Sequence, residues 1–118
     1  MTAMVIYGVI NAWAGLLLLG VGIPFYFGRI KPNTWTGLRT ERTLSDPVEW
    51  YAANRTMGRD FMAAGTTILL SLASLLLFAR GLTFTTMMLI HLGVIMVCVT
   101  WIVGHSLWTF RRRDEKQI

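Results

Sequence analysis

The sequence predicts an all-α membrane protein, with three transmembrane helices and a structured cytoplasmic loop and amphipathic helix between the first and second. Three observations carry this. Of 118 residues, 54% are hydrophobic and only 14% are Asp, Glu, Lys or Arg, against roughly a quarter in a soluble domain. Residues 1–28, 61–79 and 81–110 contain none of those four residue types, and a spanning helix needs about 20 mostly apolar residues. Finally, the basic residues flank these runs. They place the formal charge of +5 at membrane boundaries, so it does not signal nucleic-acid binding.

The first span is expected over about Ala3 to Phe27. It lacks a basic n-region and is too long for a signal peptide, so it reads as a helix of the mature chain. Gly8, Ala12, Gly15 and Gly22 fall near one face, where small residues let helix backbones approach in lipid. Packing against another helix of the same chain is the first reading of that face. A homo-oligomer seam is the second. Pro24 is expected to kink the end, and Phe25, Tyr26 and Phe27 stand where an interfacial aromatic belt belongs.

Residues 29–59 form the cytoplasmic segment. Lys31-Pro32-Asn33 reads as a turn, and Gly37 permits a second tight bend. Thr40, Thr43 and Ser45 offer side-chain hydrogen bonds to the loop backbone. Asp46 is a good N-cap, Pro47 suits the first helical position and Glu49 completes a box-like spacing. Trp50, Ala53, Asn54, Met57 and Phe61 then recur at helical spacing. Arg55 and Arg59 lie on another face, at headgroup level. An ion-pair network among Arg39, Glu41, Arg42, Asp46, Glu49, Arg55 and Arg59 is expected.

The second span is expected over about residues 61–79, with Gly65, Ser71, Ala73 and Ser74 suited to close packing. The short turn around Arg80-Gly81 makes the second and third helices antiparallel neighbours. The third span, about residues 83–110, ends in Trp101, Trp108 and Phe110, followed by Arg111-Arg112-Arg113. Residues 111–118 form a tail, read as frayed from Asp114. Ten of the eleven Lys and Arg residues fall in the first loop and this tail. Positive charge gathers on the cytoplasmic side, so the N-terminus is expected outside and the C-terminus inside.

Few groups are arranged for chemistry. His91, Cys98 and His105 are spaced by seven along one stripe, about 10 Å apart in rise. Ligands of one metal ion must all lie about 2 Å from it, so the three read as structural and no metal or cofactor is expected. His91 is expected to face the bundle interior, and His105 to sit near the cytoplasmic interface. No carboxylate lies within the three charge-free runs, no nucleophile stands beside a base and there is no phosphate-binding glycine loop. An enzyme is therefore not expected, nor are catalytic residues.

The polar loop is the densest constellation. Asn33, Gly37, Arg39, Thr40, Thr43, Leu44 and Ser45, followed by Trp50, Asn54, Arg55 and Gly58, form N-x-x-x-G-x-R-T-x-x-T-L-S and W-x-x-x-N-R-x-x-G. This pattern resembles the SdpI family of small bacterial membrane proteins, including one helix before it and two after. Asn54 departs from it, since many members carry His there. The family takes its name from an immunity protein that protects a toxin producer from its own secreted peptide. That founder is also thought to hold a repressor at the membrane and has further helices, so this chain resembles the motif-bearing half.

The resemblance implies a bacterial cytoplasmic membrane protein acting in immunity, resistance or membrane-based signalling. Its expected recognition residues, for a lipid headgroup or a protein partner, are Asn33, Gly37, Arg39, Thr40, Arg42, Thr43, Trp50, Asn54, Arg55 and Arg59. The alternative is a small accessory subunit of a larger membrane complex, without activity of its own.

Overall fold

The computed structural model describes residues 2–116, with side chains through Arg113. It contains α1 (Thr2–Tyr26), α2 (Glu41–Ser45), α3 (Pro47–Phe78) and α4 (Phe84–Lys116). Three helices are long and apolar enough to cross a membrane: Thr2–Tyr26, Pro47–Phe78 and Phe84–Arg113. The chain is thus a multi-pass membrane protein.

Helix length explains why the molecule has a polar end. At about 1.5 Å per residue, α3 and α4 are each close to 50 Å long, well beyond a hydrocarbon core of about 30 Å. Their other ends are tied by the short turn at residues 79–83, so the surplus length of both projects toward the first loop. The whole measures 55 × 25 × 18 Å. The expected amphipathic helix and the second span are one continuous helix, because no breaker interrupts the pattern after Pro47.

α3 is the central helix. Against α1 it packs through four glycines in two facing pairs. A Cβ on Gly65 would lie 2.7 Å from the Gly15 carbonyl oxygen, and one on Gly58 would lie 2.5 Å from that of Gly22. The spacing is seven residues on both helices, and the antiparallel run brings the pairs into register. Gly15 and Gly22 are therefore occupied within the chain. Nothing lies within 4 Å of a Cβ built on Gly8, and Ala12 is partly covered.

Against α4, the core of Ala64, Ile68 and Cys98 is flanked by Val94, Ile95 and Ile102, with Leu18 of α1 closing over it. His91 is fully buried. Its Nδ1 lies 3.0 Å from the Tyr7 hydroxyl and its Nε2 lies 3.3 Å from the Ile68 carbonyl. A carbonyl can only accept, so Nε2 carries the proton there. His91 thus joins α1, α3 and α4, in the interior as expected, with Tyr7 and a backbone group as partners.

Several local expectations are corrected. Phe25 lies in the core with Trp50 and Met57, leaving Phe27 exposed. Ala73 and Ser74 face outward. α4 continues as helix to Lys116, past the frayed start expected at Asp114; residues 117 and 118 of that tail lie outside the described residues.

Candidate functional site

The loop of residues 27–46 folds back onto the projecting end of α3. It begins where α1 stops. Gly28 takes φ +68°, its N–H donates to Phe25 O and the Arg29 N–H donates to Pro24 O at 2.9 Å. This left-handed glycine closure satisfies carbonyls that the helix end leaves open. Arg55 Nε donates to Tyr26 O at 3.1 Å, tying α3 to the same terminus.

Asn33 then organises a tight turn. Its Nδ2 donates to Lys31 O at 2.8 Å, and its Oδ1 accepts from the N–H groups of Trp35 and Thr36 at 3.0 and 2.8 Å. Arg39 Nη1 donates to Thr34 O, bracing the turn from its far side. Trp35, at the tip, is 80% exposed.

The base of the loop is a buried polar lock. Gly37 has φ +83°, and a Cβ there would collide with Asn54 Oδ1 and come within 2.9 Å of Phe25. Both conformation and space demand glycine. That same Oδ1 accepts from the Leu38 N–H at 2.7 Å, while Asn54 Nδ2 donates to Trp50 O at 3.0 Å. Trp50 Nε1 donates to Ile30 O at 3.0 Å. Asn54 is 1% exposed and Trp50 is 0% exposed. An amide serves here because it donates and accepts without carrying charge into the core.

Thr40 and Thr43 form a reciprocal capping box that starts α2, a short helix that the sequence reading leaves as loop. The Thr43 hydroxyl also donates to Leu38 O at 2.8 Å. Asp46 caps α3 as expected, accepting from the Val48 N–H at 2.9 Å. Glu49 does not close that cap. It meets Arg42 at 3.4 Å and Arg113 at 2.6 Å, and Arg42 Nη2 donates to Arg113 O at 3.0 Å. Among the described residues the ion pairs centre on Arg42 and Glu49, and they recruit an arginine from the end of α4.

The structure thus divides the ten expected recognition residues. Asn33, Gly37, Thr40, Thr43, Trp50 and Asn54 build the loop from within or by turn bonding, and Arg42 ties it to α4. Arg39, Arg55 and Arg59 are exposed, as are Arg29 and Lys31 at the start of the loop. They form the accessible, electropositive part, although Arg39 and Arg55 each spend one donor on a backbone carbonyl, Thr34 O and Tyr26 O.

Asp60 was missed. It stands just outside the charge-free second run, yet it is only 4% exposed. Its Oδ2 lies 2.5 Å from His105 Nδ1. His105 stacks on Trp101 and Trp108, with centroids 5.1 and 6.1 Å away, and Arg112 sits 4.8 Å from the Trp108 ring. A signal did exist. Asp60 follows Met57 by three and precedes Ala64 by four, on the same buried stripe. Among the described residues, no three His, Cys, Asp or Glu side chains converge as a metal site would require.

No curated protein and no solved structure matches the chain. The sequence model of the SdpI/YfhL protein family matches residues 29–106, a stretch that starts with the loop and takes in all of α2 and α3 and most of α4. With about two-thirds of its length matched, the chain belongs to the SdpI/YfhL protein family.

Proposed function

We propose that this protein is an immunity or resistance factor of the SdpI type, or a membrane-based signalling protein, acting by recognition without catalysis. Its loop recognises a phosphate-bearing headgroup or an acidic partner. The observation supporting this most directly is the rigid loop packed on α3, with Arg39 on the loop and Arg55 and Arg59 on α3 all exposed. Its backbone is fixed by Asn33, Gly37 and Asn54 before any partner arrives, which lowers the ordering cost of binding. Arginine's planar fork suits phosphate or carboxylate oxygens.

The loop lies on the cytoplasmic side of the bacterial membrane in this reading, because ten of the eleven Lys and Arg residues sit at that end. A reporter fused to the C-terminus that is active only outside the cytoplasm would overturn the orientation.

The functional test is challenge of sensitive cells with a secreted membrane-active peptide, with and without expression of the chain. Arg39→Ala is expected to abolish protection while membrane insertion and expression are retained. Full protection by that variant would refute the loop as the site. A stoichiometric membrane protein co-purifying with the wild type and lost from the variant would instead favour an accessory subunit.

A further inference from the structure

The loop has an apolar underside as well as a charged rim. Between the end of α1 and α3 runs a groove of about 490 Å³, walled by Val21, Phe25, Met57 and Phe61. That volume is within the range of pockets that hold small ligands, about 300–1,000 Å³. Gly20 also lines it, and an added Cβ there would meet nothing within 4 Å. Its apolar walls belong to two helices long and apolar enough to span a membrane, so the groove lies where those spans meet the polar loop.

The groove is lined as well by Thr36 and Gly37, next to the turn that Arg39 braces through the Thr34 carbonyl. Residues 28–40 include Arg29, Lys31 and Arg39 and no acid, and all three cations are exposed. Trp35 projects from the same turn, and tryptophan favours the level of lipid headgroups. An apolar slot between two apolar helices thus adjoins a turn that carries an aromatic side chain and exposed cations, matching a lipid whose head is anionic.

We infer that this groove holds one acyl chain of an anionic phospholipid, with its phosphate at Arg39 and its glycerol region beside Trp35. The inference rests on the headgroup reading of the loop and names the ligand class. A lipid seated there would touch α1, the loop and α3 together, so its presence would report on the surface the loop offers.

The test is native mass spectrometry of the full chain released from nanodiscs of equal phosphatidylglycerol and phosphatidylcholine. Wild type is expected to keep one phosphatidylglycerol. Gly20→Leu adds a side chain at the groove lining, with its Cβ clear of any atom within 4 Å, and is expected to lose it. Gly93→Leu, at an equally open glycine on α4, is expected to keep it. Arg39→Gln is expected to keep less, with no gain of phosphatidylcholine.

Retention by Gly20→Leu equal to wild type would overturn the groove. Equal retention of phosphatidylcholine by wild type would overturn the anionic headgroup. Displacement of the lipid by free glycerol phosphate would show a head-only site and also overturn the groove. If Arg39→Ala loses protection while Gly20→Leu keeps lipid and protection, only the groove fails. If Gly20→Leu loses lipid while Arg39→Ala still protects, only the loop's functional role fails.

Discussion

α3 meets its two neighbours by different physics. Against α1 the contact is backbone on backbone, made by Gly15 with Gly65 and Gly22 with Gly58. Against α4 it is pinned by polar side chains: His91 to the Ile68 carbonyl, Asp60 to His105, and Glu49 to Arg113. In lipid there is little hydrophobic drive between helices, so association relies on close packing and hydrogen bonds. This protein leans on the first device toward α1, where Arg55 adds a tie to the Tyr26 carbonyl, and on the second toward α4, beside an apolar core of Ala64, Ile68 and Cys98. The first tolerates no added atom, whereas the second tolerates substitution to the extent that the orphaned partner finds water.

The comparison orders the expected effects of mutation. Gly58→Leu should be the most damaging, since a Cβ there already falls 2.5 Å from Gly22 O and 2.7 Å from Tyr26 N. Backbone cannot yield as a side-chain tip does, so a loss of about 3 kcal/mol or more is expected. Reversible unfolding in mixed micelles would read it, and wild-type stability in that variant would remove the glycine seam from the account.

Asp60→Ala should come next. It strands the ring nitrogen of His105 in a largely covered site, for an expected loss of about 1–3 kcal/mol. A cycle with His105→Phe separates the pair from its parts: the double variant should recover some of the loss. Strictly additive losses would mean that the 2.5 Å contact contributes nothing of its own.

Glu49→Gln should cost less, about 0.5–1 kcal/mol, because the cluster is near the surface and open to screening. Added salt should shrink the difference from wild type. An effect as large as that of Gly58→Leu would put the polar pins on a par with the glycine seam. The smallest effect belongs to Gly8→Ala, which meets nothing within 4 Å and should stay within about 0.5 kcal/mol. A large loss there would show that α1 has a further partner on its open face.

Much of this was legible in one dimension. Charge-free runs give the three spans, because a charge in hydrocarbon is costly enough to be excluded. The Asp46-Pro47 start of α3 is a local event, settled by a side chain and the amide two residues on. Asn33 and Gly37 announce turns because their conformational preferences need no tertiary partner.

What local pattern could not supply was partner identity. Asp60 carried no reading from the sequence, because its partner His105 is 45 residues away and only α4 brings it there. Glu49 had the spacing of a capping box, yet two arginines, one from the far end of the chain, offered a better partner than the helix's own N–H. Phe25 looked interfacial until the loop folded over it.

The sequence by itself determined that the chain crosses a membrane three times and carries one structured polar loop, because hydropathy, capping and turn chemistry act over a few residues. Only the tertiary structure decided that seven of the ten expected recognition residues are covered or partly covered while they build the loop, and that Arg39, Arg55 and Arg59 stay exposed, the first two while also bonding backbone carbonyls. Which side chains a fold buries depends on which helices meet and at what register, and that is settled by contacts between residues far apart in the chain.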